Sequence, residues 1–118
     1  MKMNYFVFGT NYMSAAVQFY EKIFEGMDVQ RHPEEGRMTM WIGEGFLFAL
    51  AEPIDEGPAT VGNGSMCGFQ LNSAEEISAK HALAIKLGGV DEGAPSVRSD
   101  RFSAYFRDID GNKLCFFE

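Results

Sequence analysis

The chain has 118 residues, 46% hydrophobic and 14% aromatic, a composition that suits one globular domain and excludes a disordered one. Ten basic residues against 17 acidic ones leave a formal charge of −7, which argues against nucleic acid and anionic membranes as partners. The longest unbroken apolar run, Phe46 to Ala51, falls far short of the roughly 20 residues that span a bilayer. Met1 to Phe8 is too short and too broken for a secretory leader. Cys67 and Cys115 form neither a CxxC pair nor a disulfide framework, so a cytoplasmic location is expected.

Residues 5–10 (Tyr-Phe-Val-Phe-Gly-Thr) are aromatic and β-branched and predict a strand. Asn11 to Ser14 offer capping side chains. Behind them Ala15, Ala16, Phe19, Tyr20, Ile23 and Phe24 recur at helical spacing, and Gly26 is a stop. A charged loop from Arg31 to Gly36 follows; its Glu34-Glu35 pair reads as a solvated face. Two strands, Arg37 to Ile42 and Gly45 to Ala51, join at Gly43-Glu44-Gly45, and Pro53 closes the sheet.

Residues 54–64 are rich in turn formers and read as a linker. The order then repeats. Ser65 to Leu71 predicts a strand, Asn72-Ser73 a cap, and Ala74 to Leu87 a helix ended by Gly88-Gly89. After a short piece at Val90 to Val97, Arg101 to Arg107 and Lys113 to Phe117 form a hairpin. Its turn, Asp108 to Asn112, contains Gly111, which takes positive φ freely. The halves align at an offset of about 61 residues in pattern, with slight identity. Each half reads as a β-α-β-β-β unit with one helix on one sheet face. The other face is expected to curve around a cavity.

This order resembles the vicinal oxygen chelate superfamily of glyoxalase, bleomycin-resistance and extradiol dioxygenase proteins, and most of all its short bacterial glyoxalase-like members. The likeness rests on Phe8-Gly9-Thr10-Asn11 with Ala15 to Tyr20, then Gly62-Asn63-Gly64-Ser65, Glu92-Gly93-Ala94-Pro95 and Tyr105 to Lys113. Ile109 stands where the family turn usually has proline. The resemblance implies an α+β fold in which two βαβββ modules, about 1–53 and 65–118, form one open-barrel domain over 1–118. It also implies a divalent metal held by His, Gln or Glu at four strand positions.

Carried over by spacing from the Phe-Tyr pair, Pro53, Phe69 and Gly111, those positions hold Tyr5, Ala49, Met66 and Cys115. None is the expected ligand type. Borderline and hard dications take imidazole or carboxylate donors. A methyl donates nothing, and a thioether suits soft ions such as Cu(I). The neighbours Asn4, Phe6, Phe48, Leu50, Ser65, Cys67, Leu114 and Phe116 include no His or acid either. The expectation is therefore a lost metal site and no cofactor.

The remaining reactive residues favour plain roles. His32 belongs to a polar loop, and His81 reads as a core-edge histidine with one hydrogen bond. With two histidines, neither a Ser-His-Asp triad nor a Cys-His dyad finds support. No two acids can be argued to face each other as acid and base. Asp108 and Asp110 suffice as turn formers. Strand parity turns Tyr5, Val7, Leu47, Ala49, Met66, Gly68, Gln70 and Cys115 toward the cavity and Cys67 toward the helix. Cys115 is the one weak candidate for catalysis, against a small buried hydrophobe as the bland reading. Trp41 and Tyr105 are candidate pocket walls, with core packing the rival reading for Trp41. Arg98, where similar glyoxalase-like proteins carry arginine, is a candidate for gripping an anionic ligand group, or else a partner for a nearby acid.

The expected function is a metal-free glyoxalase-like protein that binds a small, largely apolar molecule. The alternatives are a divergent lyase or isomerase using Cys115, Tyr5 or a metal bound at other positions, and a non-catalytic dimeric module whose pocket is filled by its own side chains. A homodimer is expected, in keeping with the family resemblance, with no nucleic-acid or membrane partner.

Overall fold

A computed structural model describes residues 1–33 and 36–118; the expected solvated face at Glu34-Glu35 lies outside the described residues. The chain forms two compact units, Met1–Val61 and Gly62–Glu118.

In the first unit, β1 (Tyr5–Gly9), α1 (Met13–Ile23), β2 (Val29–Arg31), β3 (Met38–Gly43) and β4 (Phe46–Ala51) follow in order. The sheet runs β1-β4-β3-β2, with β1 parallel to β4 and the other pairs antiparallel. A parallel pair needs a crossover, and α1 lies within it. Ala16, Val17, Phe19, Tyr20 and Ile23 are its buried residues. Ala15, expected on this face, is exposed instead, because the apolar stripe centres on Ala16, Tyr20 and Ile23 and leaves position 15 at its edge.

The N-terminus of α1 also departs from expectation. Tyr12 is the N-cap and makes no side-chain capping bond. Thr10 Oγ1 accepts the Tyr12 N–H at 3.0 Å, while the Asn11 amide is spent on the backbone of Ala59, accepting at 2.7 Å and donating at 3.0 Å. The helix is held by tertiary packing rather than by its cap. Tyr20 and Phe24 meet Trp41 and Phe48 with ring centroids 4.9–6.0 Å apart, and Trp41 Nε1–H donates to Glu21 Oε1 at 2.7 Å.

The first strand after α1 in the βαβββ order is β2, which takes in Arg31 from the expected charged loop. It is three residues long and pairs at the sheet edge, so its backbone bonds to β3 form it without any apolar alternation in the sequence. The β3–β4 turn narrows to Glu44-Gly45, with Gly45 at φ 75°. The Phe46 ring lies where a Cβ on Gly43 would sit, so a side chain there would have to displace that ring.

The second unit repeats the order: β5 (Cys67–Gln70), α2 (Ala74–Lys86), β6 (Val90–Arg98), β7 (Arg101–Arg107) and β8 (Lys113–Phe117). Its sheet runs β5-β8-β7-β6, again with the first pair parallel. Ser73 caps α2 by accepting the Glu76 N–H at 3.1 Å, and Glu76 accepts the Asn72 N–H in return, a capping-box arrangement. Ile77, His81 and Ala84 are the buried residues of α2; Phe69, Phe106 and Phe116 pack ring to ring beneath it.

The piece expected at Val90 to Val97 is a full nine-residue strand. It lies at the sheet edge and shifts register on either side of Gly93, which lets it carry Pro95. Ser99 and Asp100, at φ 49° and 68°, make the tight turn into β7. At the β7–β8 turn, buried Asp108 accepts the N–H groups of Asp110 and Asn112, both at 2.9 Å, and the Asn112 side-chain amide at 3.1 Å.

The α+β class and the two βαβββ modules are thus present, and both sheets are open. No helix among the described residues is long and apolar enough to cross a membrane.

Candidate functional site

Each sheet has one face under its helix and one helix-free face, and pairing assigns the side chains. In the first unit, Trp41 pairs with Phe48 and Phe48 with Phe6, and this row meets α1. The alternate residues Tyr5, Val7, Leu47, Ala49, Met40 and Ile42 therefore share the helix-free face. Tyr5, Val7 and Ile42 are exposed there, while Ala49 is fully buried.

In the second unit Gly68, Cys115, Tyr105 and Gly93 stand side by side across the four strands. Cys67, Leu114 and Phe106 alternate with them on the face toward α2. Met66 is exposed one residue before β5, because the strand is shorter than the expected Ser65 to Leu71.

Of the candidate site residues, Tyr5 and Ala49 thus share one helix-free face. Tyr105, Cys115 and Arg98 share the other. Trp41 is set apart: it is buried on the helix side and hydrogen-bonded to α1, so it belongs to the core. A hollow of about 390 Å³ borders it, lined by Glu21, Phe24, Met27 and Arg31 among others, away from the helix-free face.

Arg98 has no carboxylate partner among the described residues and is anchored to backbone instead. Its Nη1 donates to Ser103 O and its Nη2 to Ala94 O, each at 2.7 Å, and its guanidinium lies 5.2 Å from the Tyr105 ring centroid. A Cβ on Gly93 would stand 3.0 Å from Tyr105 and 3.2 Å from Arg98 Nη2, so glycine makes room for this stack. Lys113 Nζ lies 5.5 Å from the same ring, and Arg101 lies 5.7 Å from the Phe117 ring. Sequence reasoning missed Lys113, Arg101 and Phe117. Arg101, Ser103, Tyr105 and Arg107 alternate along β7, a signal of a basic, half-polar face.

Burial pushes the Cys115 thiol up; a hydrogen bond with Tyr105 and the charges of Arg98 and Lys113 pull the other way without cancelling it. Burial likewise pushes Cys67 up to about 11. Both thiols are therefore protonated at neutral pH and poor nucleophiles. His81 is buried, with Nε2 at 3.0 Å from Asp91 Oδ1 and 3.1 Å from Tyr105 O. It ties the helix to β6 and β7, a structural role as expected, with two partners instead of one. His32 is exposed in its loop.

At the four positions where the resemblance implies metal ligands, the structure offers an exposed phenol, a buried methyl, an exposed thioether and a protonated thiol. That donor set does not fit a hard or borderline dication. Among the described residues no three His, Cys, Asp or Glu side chains gather as a metal group.

No family model matches the chain, and no curated protein does. Solved structures do. A glyoxalase/bleomycin resistance protein from Albidiferax ferrireducens is 31% identical over 98% of this chain and 96% of its own, with a TM-score of 0.91. A lactoylglutathione lyase from Agrobacterium tumefaciens (17% identity, 99% and 92% coverage, TM-score 0.72) is similar in fold. So is a fosfomycin resistance protein from Listeria monocytogenes (16%, 99% and 92%, TM-score 0.75). With the doubled βαβββ topology, the first likeness establishes that the chain belongs to the glyoxalase/bleomycin resistance/dioxygenase family, the vicinal oxygen chelate superfamily.

Proposed function

We propose that the chain is a glyoxalase-fold binding protein that holds a small, largely apolar molecule against a helix-free sheet face without a divalent ion. The observation that carries this reading is the donor set at Tyr5, Ala49, Met66 and Cys115, which supplies no carboxylate or imidazole. Tyr5, Val7 and Ile42, exposed on the helix-free face of the first sheet, offer apolar contact area of the kind that small-molecule sites use. A Cys115-centred lyase is disfavoured, because burial keeps that thiol protonated. Similar folds host a lyase and a resistance protein, so fold alone does not select a reaction. The same apolar strip supports pairing of two copies, which sedimentation at micromolar concentration tests.

The decisive measurement is metal analysis of protein purified without chelators, followed by thermal melts with added nickel, zinc, manganese or cobalt. Substoichiometric metal and an unmoved midpoint are expected. One tightly held equivalent, lost in Tyr5→Phe or Cys115→Ala, would overturn the proposal, since ligand binding to the native state must raise the midpoint.

A further inference from the structure

Resting on that binding role, we infer that the ligand is an organic anion, and that its charged group is held on the helix-free face of the β5-β8-β7-β6 sheet. The chain is acidic overall, yet this face gathers Arg98, Arg101 and Lys113 among aromatic side chains. None of these three cations has a carboxylate within ion-pair distance among the described residues; the fourth on the face, Arg107, is paired with Glu92 at 2.6 Å. The acids nearest in sequence are Asp100, in the β6–β7 turn, and Asp110, in the β7–β8 turn.

Like charges gathered on one face repel each other unless something offsets them. Here the offsets are backbone carbonyls and ring faces, which orient a cation without neutralising it. Arg98 spends only part of its five donors on Ser103 and Ala94. It is thereby fixed in place, and a cation held before the ligand arrives costs less to order on binding. Gly93 and Gly68 keep the face shallow: a Cβ on Gly68 would stand 3.2 Å from Phe117. Tyr105 and Phe117 seat the cations by their ring faces, and Lys113 and Arg101 stand over these rings as the charge donors.

The corresponding face of the first sheet is the contrast. Its strand residues, Tyr5, Val7, Leu47, Ala49, Met38, Met40, Ile42 and Gln30, include no Lys, Arg, Asp or Glu. The cationic character therefore belongs to one module and is not imposed by the repeated topology.

The test compares two probes of nearly the same body: 8-anilinonaphthalene-1-sulfonate, which is anionic, and N-phenyl-1-naphthylamine, which is neutral. Fluorescence titrations are run on the full chain and on Lys113→Met/Arg101→Met, with Lys86→Met on the exposed side of α2 as a charge control. Circular dichroism and a thermal melt confirm that each variant is folded. The sulfonate is expected to bind the parent protein more tightly than the neutral probe and to weaken with added salt. In the double variant it should lose roughly five- to thirtyfold in affinity, at about 0.5–1 kcal/mol per cation, with the neutral probe changed less than twofold. Lys86→Met should leave both unchanged. Equal binding of the two probes, or an unchanged sulfonate affinity in the double variant, overturns the anion inference while leaving the small-molecule role standing. Binding of neither probe overturns both.

Discussion

Replacing Trp41 by Phe separates the core from the site. Trp41 is 1% exposed, is bordered by Tyr20, Phe24 and Phe48, and donates its indole N–H to Glu21 at 2.7 Å. A hydrogen bond to a charged acceptor contributes about 1.5–3 kcal/mol, and the low end applies here because Glu21 is exposed and water competes for its carboxylate. The smaller ring removes a further two to three carbon-sized groups of burial, at about 0.8 kcal/mol each. The expected loss is about 3–4 kcal/mol, or roughly a 12–16 °C fall in midpoint at about 4 °C per kcal/mol for a domain this size. Urea unfolding followed by circular dichroism measures it, since the variant has no tryptophan to report. Glu21→Gln should lose about 1 kcal/mol, and Val7→Ala, on the helix-free face, less than that. Affinity for anilinonaphthalene sulfonate should stay within twofold in Trp41→Phe and Glu21→Gln. A stability loss under about 1 kcal/mol in Trp41→Phe, or a tenfold drop in probe affinity, would refute the placement of Trp41 in the core.

Other consequences are as direct. Because burial lifts Cys67 to about 11 from 9.0, its thiolate is about a hundredfold scarcer at neutral pH. Greater nucleophilicity returns part of that, so iodoacetamide should label it about tenfold more slowly in native Cys115→Ala protein than in urea, by mass spectrometry. The sign of the linkage follows: the raised native pKa means that the unfolded thiol ionises first, so its contribution to stability is whole below pH 9 and declines toward pH 11. Cys67→Ala should flatten the stability profile in that window. Asp108→Ala leaves three donors at the β7–β8 turn without their acceptor and should cost about 2–4 kcal/mol in urea unfolding; a cost below 1 kcal/mol would mean that water replaces the carboxylate. Gly43→Ala should destabilise by about 1–3 kcal/mol through collision with the Phe46 ring, and a second change, Phe46→Ala, should recover part of that loss in thermal melts.

The sequence by itself determined the repeated βαβββ order, the cap at Ser73, the Asp108 turn and the family, because these are written in local spacing: alternation, helical stripes and turn residues. It also carried the absence of imidazole and carboxylate at Tyr5, Ala49, Met66 and Cys115, which is a matter of residue identity. Only the tertiary structure decided the rest. Strand β2 exists through backbone pairing with β3 and leaves almost no side-chain pattern. Trp41 was drawn into the core because the row it shares with Phe48 and Phe6 lies under α1, and a lone strand's alternation does not say which face a helix will cover. The basic face could be glimpsed in β7 alone, but joining Lys113 and Arg98 to Tyr105 required the pairing register of three strands. Register is a non-local quantity, set by the hydrogen bonds between segments and not by any one of them.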